Sequence, residues 1–397
     1  MNVVDTDVAI VGGGAAGLMC AMTAAGRGLR VLVLEGANRV GKKILMSGGG
    51  RCNFTNTGTT PEQYLSANPH FVKSALARYT PWHFLELVER HRIAWHEKEA
   101  GQLFCDESSK LVVRMLLDEC ARAGARIETQ AAIARVGRDD AGRFELDCRL
   151  GRVRASRLVV ASGGLSIPSL GASGFGYALA ADFGHAVLPT RAGLVPLTLS
   201  GRHQERLDGL AGVSLPVEAR CNGRAFADAL LFTHRGVSGP AILQISSYWH
   251  PGDDLRLDLL PGRDAHALLQ AWQRERPAAE RRTLLAEALP RRFAQRLAEL
   301  WLPSRPMRQY PPPELRRMAA LLHDWPLVAS GTEGYRTAEV TLGGVDTDQV
   351  SSSTFESRSV PGLHFVGEVL DVAGWLGGYN FQWAWASGHA AGEAVAS

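Results

Sequence analysis

The run Val8-Ala-Ile-Val-Gly-Gly-Gly-Ala-Ala-Gly-Leu18 sets an apolar, β-branched stretch directly before Gly12-x-Gly14-x-x-Gly17. Asp7–Val11 reads as a buried strand and the alanine-rich Ala15–Gly26 as a helix. Each glycine meets a different need. Gly12 permits a tight turn, Gly14 lets backbone approach a pyrophosphate, and Gly17 lets the helix close on the strand. Ala15 and Ala16 open the helix, whose unbonded N–H groups and partial positive charge favour phosphate. A second apolar strand, Leu29–Leu34, ends at Glu35, 23 residues after Gly12. An acid at that place accepts hydrogen bonds from ribose hydroxyls. Strand, helix, strand and acid at these spacings make a dinucleotide-binding β-α-β unit. A glycine-rich turn that bound nothing would not need the acid.

The dinucleotide is read as FAD. The fingerprint lies at the start of the chain, and a second glycine-rich element, Gly377-Gly378, lies near its far end. That split is typical of FAD proteins, in which the last segment wraps the ribityl chain and the ring. No second strand–GxGxxG–helix unit occurs. Gly171-Ala-Ser-Gly174-Phe-Gly176 follows a Pro/Ser loop, so no separate nicotinamide domain is expected.

A chain of 397 residues exceeds one ordinary core, and two or three domains are expected. A net charge of +3 is not the strongly basic footprint of a dedicated nucleic-acid binder. None of the six cysteines forms a CxxC pair, so neither a zinc site nor a dithiol couple is signalled, and no metal is expected. No run of about 18 apolar residues exists to span a membrane. With no basic leader segment, the expectation is a reduced, cytoplasmic protein.

Residues 36–60 read as a long Gly/Asn/Thr-rich loop, and loops of that length are usually functional. Helical patterns follow around 70–92 and 108–123, with strands at 126–136, 143–149 and 153–161. From Leu188 short strand-like runs with turn signals suggest an antiparallel β domain, and 264–325 is helical and Arg-rich. Seven Arg face four Glu between Arg274 and Glu299, which fits a solvated helical face or a surface for an anionic partner. β-type sequence returns near Val340. The expected class is α/β: a Rossmann-like FAD-binding domain interrupted by an inserted antiparallel β domain and a small helical domain. Its parts are 1–190 and 348–397 for FAD, 191–262 and 326–347 for the β insert, and 263–325 for the helices. The C-terminal strand and helix would complete the sheet begun at residue 7.

Gly41-Lys-Lys-Ile-Leu-Met-Ser47-Gly-Gly-Gly-Arg51-Cys-Asn53-Phe-Thr-Asn56 resembles the YhiN/BaiN-like flavoprotein family. So does Gly367-Glu-Val-Leu-Asp371-Val-Ala-Gly-Trp375-Leu-Gly-Gly-Tyr379-Asn380-Phe-Gln382. Gly101-Gln-Leu-Phe-Cys105-Asp and Leu231-Phe-Thr-His234-Arg-Gly-Val-Ser238-Gly-Pro match its YhiN-like subgroup. The resemblance runs nearly the whole chain and is weakest over 264–325. It implies an FAD fold of the two-dinucleotide-binding type with the inserted β domain and small helical domain. Related flavoproteins carry an Ala-Thr-Gly motif after a strand, which here reads Ala161-Ser162-Gly163. Gly174-Phe175-Gly176 resembles a Gly-Asp-Gly turn with its Asp replaced, which removes any role of that acid.

A reduced flavin develops negative charge at its N1/C2=O edge. Gly377, Gly378, Tyr379 and Asn380 precede a helical run, Gln382–Val395, whose N-terminus would set N–H donors at that edge. Without the resemblance, Gly-Gly before a helix is equally a turn. Glu368, after Gly367, would bond a ribityl hydroxyl; otherwise it is a surface acid. Ser47, Gly48, Gly49, Gly50, Arg51 and Asn53 would run past the pyrophosphate or ring. Lys43 or Arg51 would offset phosphate charge, and each is equally read as a surface cation. Gly36 and Ile133 are counted with the cofactor-contacting positions. Cys52 reads as a small packing residue rather than a redox thiol. His234 and Ser238, in a polar loop of the insert, would face the substrate, with His234 as proton donor, and Tyr379, lining the same pocket, is counted with them as a catalytic candidate; a hydrogen-bonded loop histidine is the plainer alternative.

The leading functional expectation is an FAD-dependent oxidoreductase. NAD(P)H would enter transiently and reduce the flavin, which would reduce an activated C=C of a small organic substrate. The alternatives are an amine or amino-ketone oxidase using O2, an RNA-associated flavoprotein, for which the mild charge makes nucleic acid the weaker partner, and a flavin-binding sensor with little turnover.

Overall fold

The computed structural model describes residues 3–301 and 303–397. Two compact units emerge, one formed by residues up to Arg191 with Val340–Ser397, the other by Ala192–Glu339.

The first unit is built on β1 (Val3–Val11), α1 (Ala15–Ala25), β2 (Val31–Leu34), α2 (Lys42–Met46), β3 (Asn53–Asn56), β4 (Gln102–Cys105), α3 (Ser109–Ala123), β5 (Arg126–Glu128), β6 (Ile133–Arg138), β7 (Phe144–Cys148), β8 (Gly151–Val160), β9 (Val340–Val345), β10 (Leu363–Phe365) and α4 (Tyr379–Ala394). The main sheet runs β5-β2-β1-β8-β7-β6, and β10 also pairs with β8. β5, β2, β1, β8 and β10 are parallel, whereas β7 pairs antiparallel with both β8 and β6. β8 serves two partners along one edge: Gly151–Ala155 pair with β7, and Leu158–Val160 pair with β10. The C-terminal strand thus joins the sheet begun by β1.

α1 is apolar on every side because it is covered on every side. Its Leu18, Met19, Cys20 and Ala21 are wholly buried. α4 lies against it through glycine: a Cβ on Gly388 would stand 2.4 Å from Ala16 O, and one on Gly392 2.6 Å from Thr23 Cβ. Those two positions hold the helix backbones closer than any larger residue permits.

Several expected boundaries shift. The long loop of 36–60 contains α2 and β3. The strand expected at 126–136 breaks into β5 and β6, because Gln130 takes a left-handed φ of 53° and Ala131 N–H turns to Glu35 O. The helix expected over 70–92 becomes Lys73–Arg78 and Pro81–Arg90, since proline at 81 cannot continue the first. α4 begins at Tyr379, earlier than Gln382, because left-handed Gly378 already caps it. β9 pairs with Val187–Gly193 and groups with the first unit, so the return lies at Val340 rather than 348.

The second unit is a seven-stranded sheet ordered 325–327, 255–258, 214–221, 224–232, 236–238, 197–198, 331–332. All its pairings are antiparallel. Helices Ala265–Glu275, Arg281–Ala288, Arg291–Leu300 and Pro312–His323 leave from one edge strand region and return beside it, between Leu255–Asp258 and Trp325–Leu327. Phe293 fastens them to the sheet, with ring contacts to Phe232 at 5.2 Å and Trp325 at 5.8 Å. No helix of the described residues is long and apolar enough to cross a membrane.

Candidate functional site

The fingerprint glycines occupy three distinct environments. Gly12 has φ +105°, and a Cβ there would lie 2.4 Å from Ala161 O. Gly17 faces back on the turn, where a Cβ would lie 2.0 Å from Gly12 O. Around Gly14 a Cβ would meet nothing within 4 Å. Gly14 caps α1 without a side-chain bond, and no acid occupies the first turn. The helix therefore presents free N–H groups and positive dipole to open space. That cradle suits a pyrophosphate: no atom blocks close approach at Gly14, and no acid opposes negative charge there.

Glu35 faces the same turn. Its Oε2 accepts from Gly13 N–H at 2.8 Å and its Oε1 from Ala37 N–H at 2.7 Å. Each oxygen keeps a lone pair for a ribose hydroxyl. Gly36 lies against Ala132, with 3.9 Å from a Cβ position to its Cα. Ile133 follows and begins β6.

After α2 the chain makes three left-handed glycines in succession, Gly48, Gly49 and Gly50, at φ 56°, 65° and 86°. Gly49 and Gly50 have open space where a Cβ would be. Ser47 Oγ donates back to Ile44 O at 2.8 Å, and Arg51 is exposed without an ion pair among the described residues. Cys52 is wholly buried, and burial pushes its thiol up to about 12, so it packs as a neutral group.

β3 leads from this loop to the C-terminal segment. The Asn53 amide lies 2.9 Å from that of Gln102. Asn56 Nδ2 donates to Gly377 O at 2.9 Å, and a Cβ on Gly378 would stand 2.4 Å from Thr55 O. Thr55 Oγ1 donates to Gln382 Oε1 at 2.6 Å, and Trp385 Nε1 to Phe54 O at 2.8 Å. Gly377 and Gly378, both left-handed, thus sit against β3 and Gln102, and α4 starts beyond them with no acid in its first turn. The Asn380 amide is spent on backbone: Oδ1 accepts from Gly374 N–H, and Nδ2 donates to Gly374 O and Trp375 O. It shapes the turn from within. Tyr379 is half-buried, and burial holds its phenol above the ordinary 10. Tyr64 Oη donates to its carbonyl at 2.9 Å.

Glu368 differs most from expectation. Its carboxylate accepts from Lys43 Nζ at 2.6 Å, Thr341 N–H at 2.8 Å and Ser166 Oγ at 3.1 Å. Of about four lone-pair sites on an ionised carboxylate, three are taken. Lys43 also donates to Ser166 at 2.6 Å, so its charge is matched by an acid before any phosphate arrives. Ala161 N–H donates to Val11 O, packing the Ala161-Ser162-Gly163 turn beside the fingerprint, and Gly163 is left-handed at φ 72°.

The fold therefore gathers Gly12, Gly14, Glu35, Lys43, Glu368 and Ala161 about the end of the parallel strands, where α/β sheets bind ligands. Gln102, Thr341 and Ser166 join them without having been singled out. Gln102 stands in a quoted motif, whereas the other two carry no local signal. His234 and Ser238 belong to the second unit. His234 is exposed in the turn between strands 224–232 and 236–238, with its carbonyl 3.5 Å from Gln204 Nε2, and Ser238 ends the second strand. No group of three or more His, Cys, Asp or Glu placed to hold a metal occurs among the described residues.

The family model described as "HI0933-like protein Rossmann domain" matches residues 6–394. The Escherichia coli (strain K12) protein named "Ribosomal RNA dihydrouridine synthase" is 51% identical over 389 residues, covering 98% of this chain and 97% of that one. The "3-dehydro-bile acid delta(4,6)-reductase" of Clostridium scindens is 31% identical over 410 residues, 98% of each. Among solved structures, a 3-ketosteroid-delta4-(5alpha)-dehydrogenase from Rhodococcus jostii RHA1 superposes with a TM-score of 0.55 at 16% identity, covering 99% of this chain and 97% of that one. At that identity the likeness shows the fold alone.

Proposed function

Because this chain belongs to the HI0933-like family of FAD-dependent oxidoreductases, we propose that it saturates the C5=C6 bond of a uridine in ribosomal RNA, with NAD(P)H as electron source. The observation that carries this reading is the end-to-end likeness to the Escherichia coli protein of that name. A uracil fits the chemistry expected from the sequence, a C=C activated by a carbonyl, although it sits in a nucleic acid and not in a small molecule. Its C5=C6 bond is conjugated to C4=O. Hydride added at C6 sends an electron pair toward O4, and a proton added at C5 completes dihydrouridine. NAD(P)H is oxidised to NAD(P)+ and one proton is taken from a protein group or water.

When bound, FAD supplies the hydride acceptor and donor at its N5. The chain's own part is to hold and orient. The open cradle at Gly14 takes the pyrophosphate, Glu35 takes a ribose hydroxyl, and Gly49-Gly50 offer bare backbone along the cofactor. The free N–H groups that open α4 favour negative charge at the ring edge. Tyr379, whose phenol burial holds above its ordinary 10, suits a hydrogen-bond donor from the first unit; His234 and Ser238 are the candidates from the second.

The test is anaerobic. The holoprotein is reduced with NADPH or NADH and mixed with deproteinised ribosomal RNA from cells lacking the gene. The reading predicts return of the oxidised flavin band on adding RNA. Reoxidation by a steroid-type enone and not by RNA would move the substrate to the class named for the Clostridium relative. Reoxidation by O2 alone, with reduction by an amino ketone rather than NAD(P)H, would make the protein an oxidase.

A further inference from the structure

We propose that the helical segment 263–325 is an RNA-docking surface on which arginines without carboxylate partners hold the phosphate backbone; this rests on the RNA reading above. The segment holds twelve Arg, no Lys and seven acidic residues, a surplus of five positive charges. The whole chain carries only +3, so the remainder is net negative by two.

Its acids are already engaged. Glu275, Glu287, Glu299 and Glu314 pair with Arg274, Arg276, Arg296 and Arg305. Glu280 accepts from Ser304 Oγ at 2.7 Å, Asp264 caps helix Ala265–Glu275, and Asp324 lies 3.5 Å from Arg256. Arg282, Arg291, Arg308, Arg316 and Arg317 are left exposed with no ion pair among the described residues.

Three of these gather about the turn 303–310. Arg282 N–H donates to Ser304 Oγ at 3.1 Å, and Arg308 N–H to Pro277 O at 2.9 Å. Arg317 lies one helical turn after Glu314, which pairs with Arg305. The turn is rigid. Tyr310 Oη donates to Pro303 O at 2.9 Å and accepts from Arg305 N–H at 2.8 Å. The Arg281 and Arg305 guanidiniums lie 4.8 and 4.5 Å from the Tyr310 ring centroid.

Exclusive use of Arg points to a phosphodiester chain with bases. The guanidinium fork matches phosphate oxygens in pairs and stacks on aromatic faces, which an ammonium does not. A membrane surface is disfavoured, because Leu300 is the one large exposed hydrophobic side chain among the described residues of this segment.

The full-length holoprotein is titrated against a fluorescein-labelled RNA hairpin over a range of salt, reading anisotropy. The triple variant Arg282→Glu/Arg308→Glu/Arg317→Glu is compared with wild type and with Lys110→Glu/Arg114→Glu, on α3 of the first unit. The surface predicts about tenfold or greater loss of affinity for the triple variant and a salt slope shallower by about two to three, since each of three lost phosphate contacts removes about 0.7–0.9. Flavin content and reduction by NADPH stay at wild-type values, and the α3 variant binds as wild type. The Arg→Gln triple moves the same way by less. A wild type that does not bind the hairpin at low salt, a triple variant with unchanged affinity and slope, or an equal loss in the α3 variant overturns the proposal. The two readings fail separately. Wild type that forms dihydrouridine while the triple variant keeps its RNA affinity removes the surface alone. Loss of binding by the triple variant, with no dihydrouridine from wild type, keeps the surface and removes the substrate.

Discussion

Lys43 Nζ lies 2.6 Å from Glu368 Oε2, an ion pair joining α2 to the C-terminal segment across 325 positions of sequence. Thr341 and Ser166 complete it. The cluster ties four separate pieces of backbone at the mouth of the proposed cofactor cradle.

Replacing Lys43 with Met leaves Glu368, only 19% exposed, without its cation. The expected loss is about 1–3 kcal/mol of stability, seen as a lower melting temperature and a lower fraction of FAD retained through gel filtration. Lys43→Met with Glu368→Gln should recover most of the melting temperature, because a neutral amide needs no countercharge. An unchanged melting temperature in the single variant would show that the pair is solvent-screened and idle.

Gly12 and Gly14 separate fold from binding. Gly12→Ala forces a Cβ against Ala161 O at a left-handed φ, which costs about 1–3 kcal/mol. Gly14→Ala puts a methyl into open space, so the chain should lose no more than about 1 kcal/mol, the scale of a cap change, while FAD affinity falls. Thermal melts of the apoproteins and flavin titration distinguish the two. Equal FAD binding by Gly14→Ala and wild type would remove the pyrophosphate from that position.

The thiols divide by burial. Five of the six cysteines are buried and Cys148 is partly exposed. Maleimide at mildly alkaline pH should label Cys148 in the folded protein and leave Cys52 untouched, because burial keeps the Cys52 thiol protonated up to about 12. Cys52→Ala should keep turnover. Rapid native labelling at Cys52, or loss of turnover in the variant, would restore a redox role.

Acid should destabilise the first unit through two histidines. His185 and His364 are buried, and burial holds both below their ordinary 6.5. The folded chain keeps these rings neutral, whereas the unfolded chain takes up their protons near 6.5. Stability from the neutral rings is complete above that value and is lost as pH falls below it. Melting temperature should therefore drop as pH decreases through 6.5, and His364→Gln should flatten the slope. A variant with the wild-type slope would move the acid sensitivity elsewhere.

What the sequence makes legible is what is local. Gly12, Gly14 and Gly17 act within one turn, and α3 is announced by Ser108, whose side chain accepts from Lys110 N–H, and by left-handed Gly124 after its end. The Lys43–Glu368 pair is hidden because its members are far apart in sequence, and each alone resembles a surface charge. α2 is hidden because a five-residue helix carries too little periodicity to stand out between glycines. The start of α4 was displaced because Gly378 reads as loop until its left-handed φ is seen to cap a helix. Substrate class is least legible of all: motifs of the kind proposed to hold the flavin serve chemistry on unlike substrates, and the surplus of Arg in 263–325 is diluted in a whole-chain charge of +3.

The most direct measurement is nucleoside mass spectrometry of ribosomal RNA incubated anaerobically with the holoprotein and NADPH. The account predicts a dihydrouridine peak, two hydrogens heavier than uridine, that appears with wild type and is lost or strongly reduced with Gly14→Ala. RNA that stays free of dihydrouridine while NADPH reduces the flavin would contradict the uridine assignment and leave an FAD-dependent oxidoreductase acting on another activated double bond.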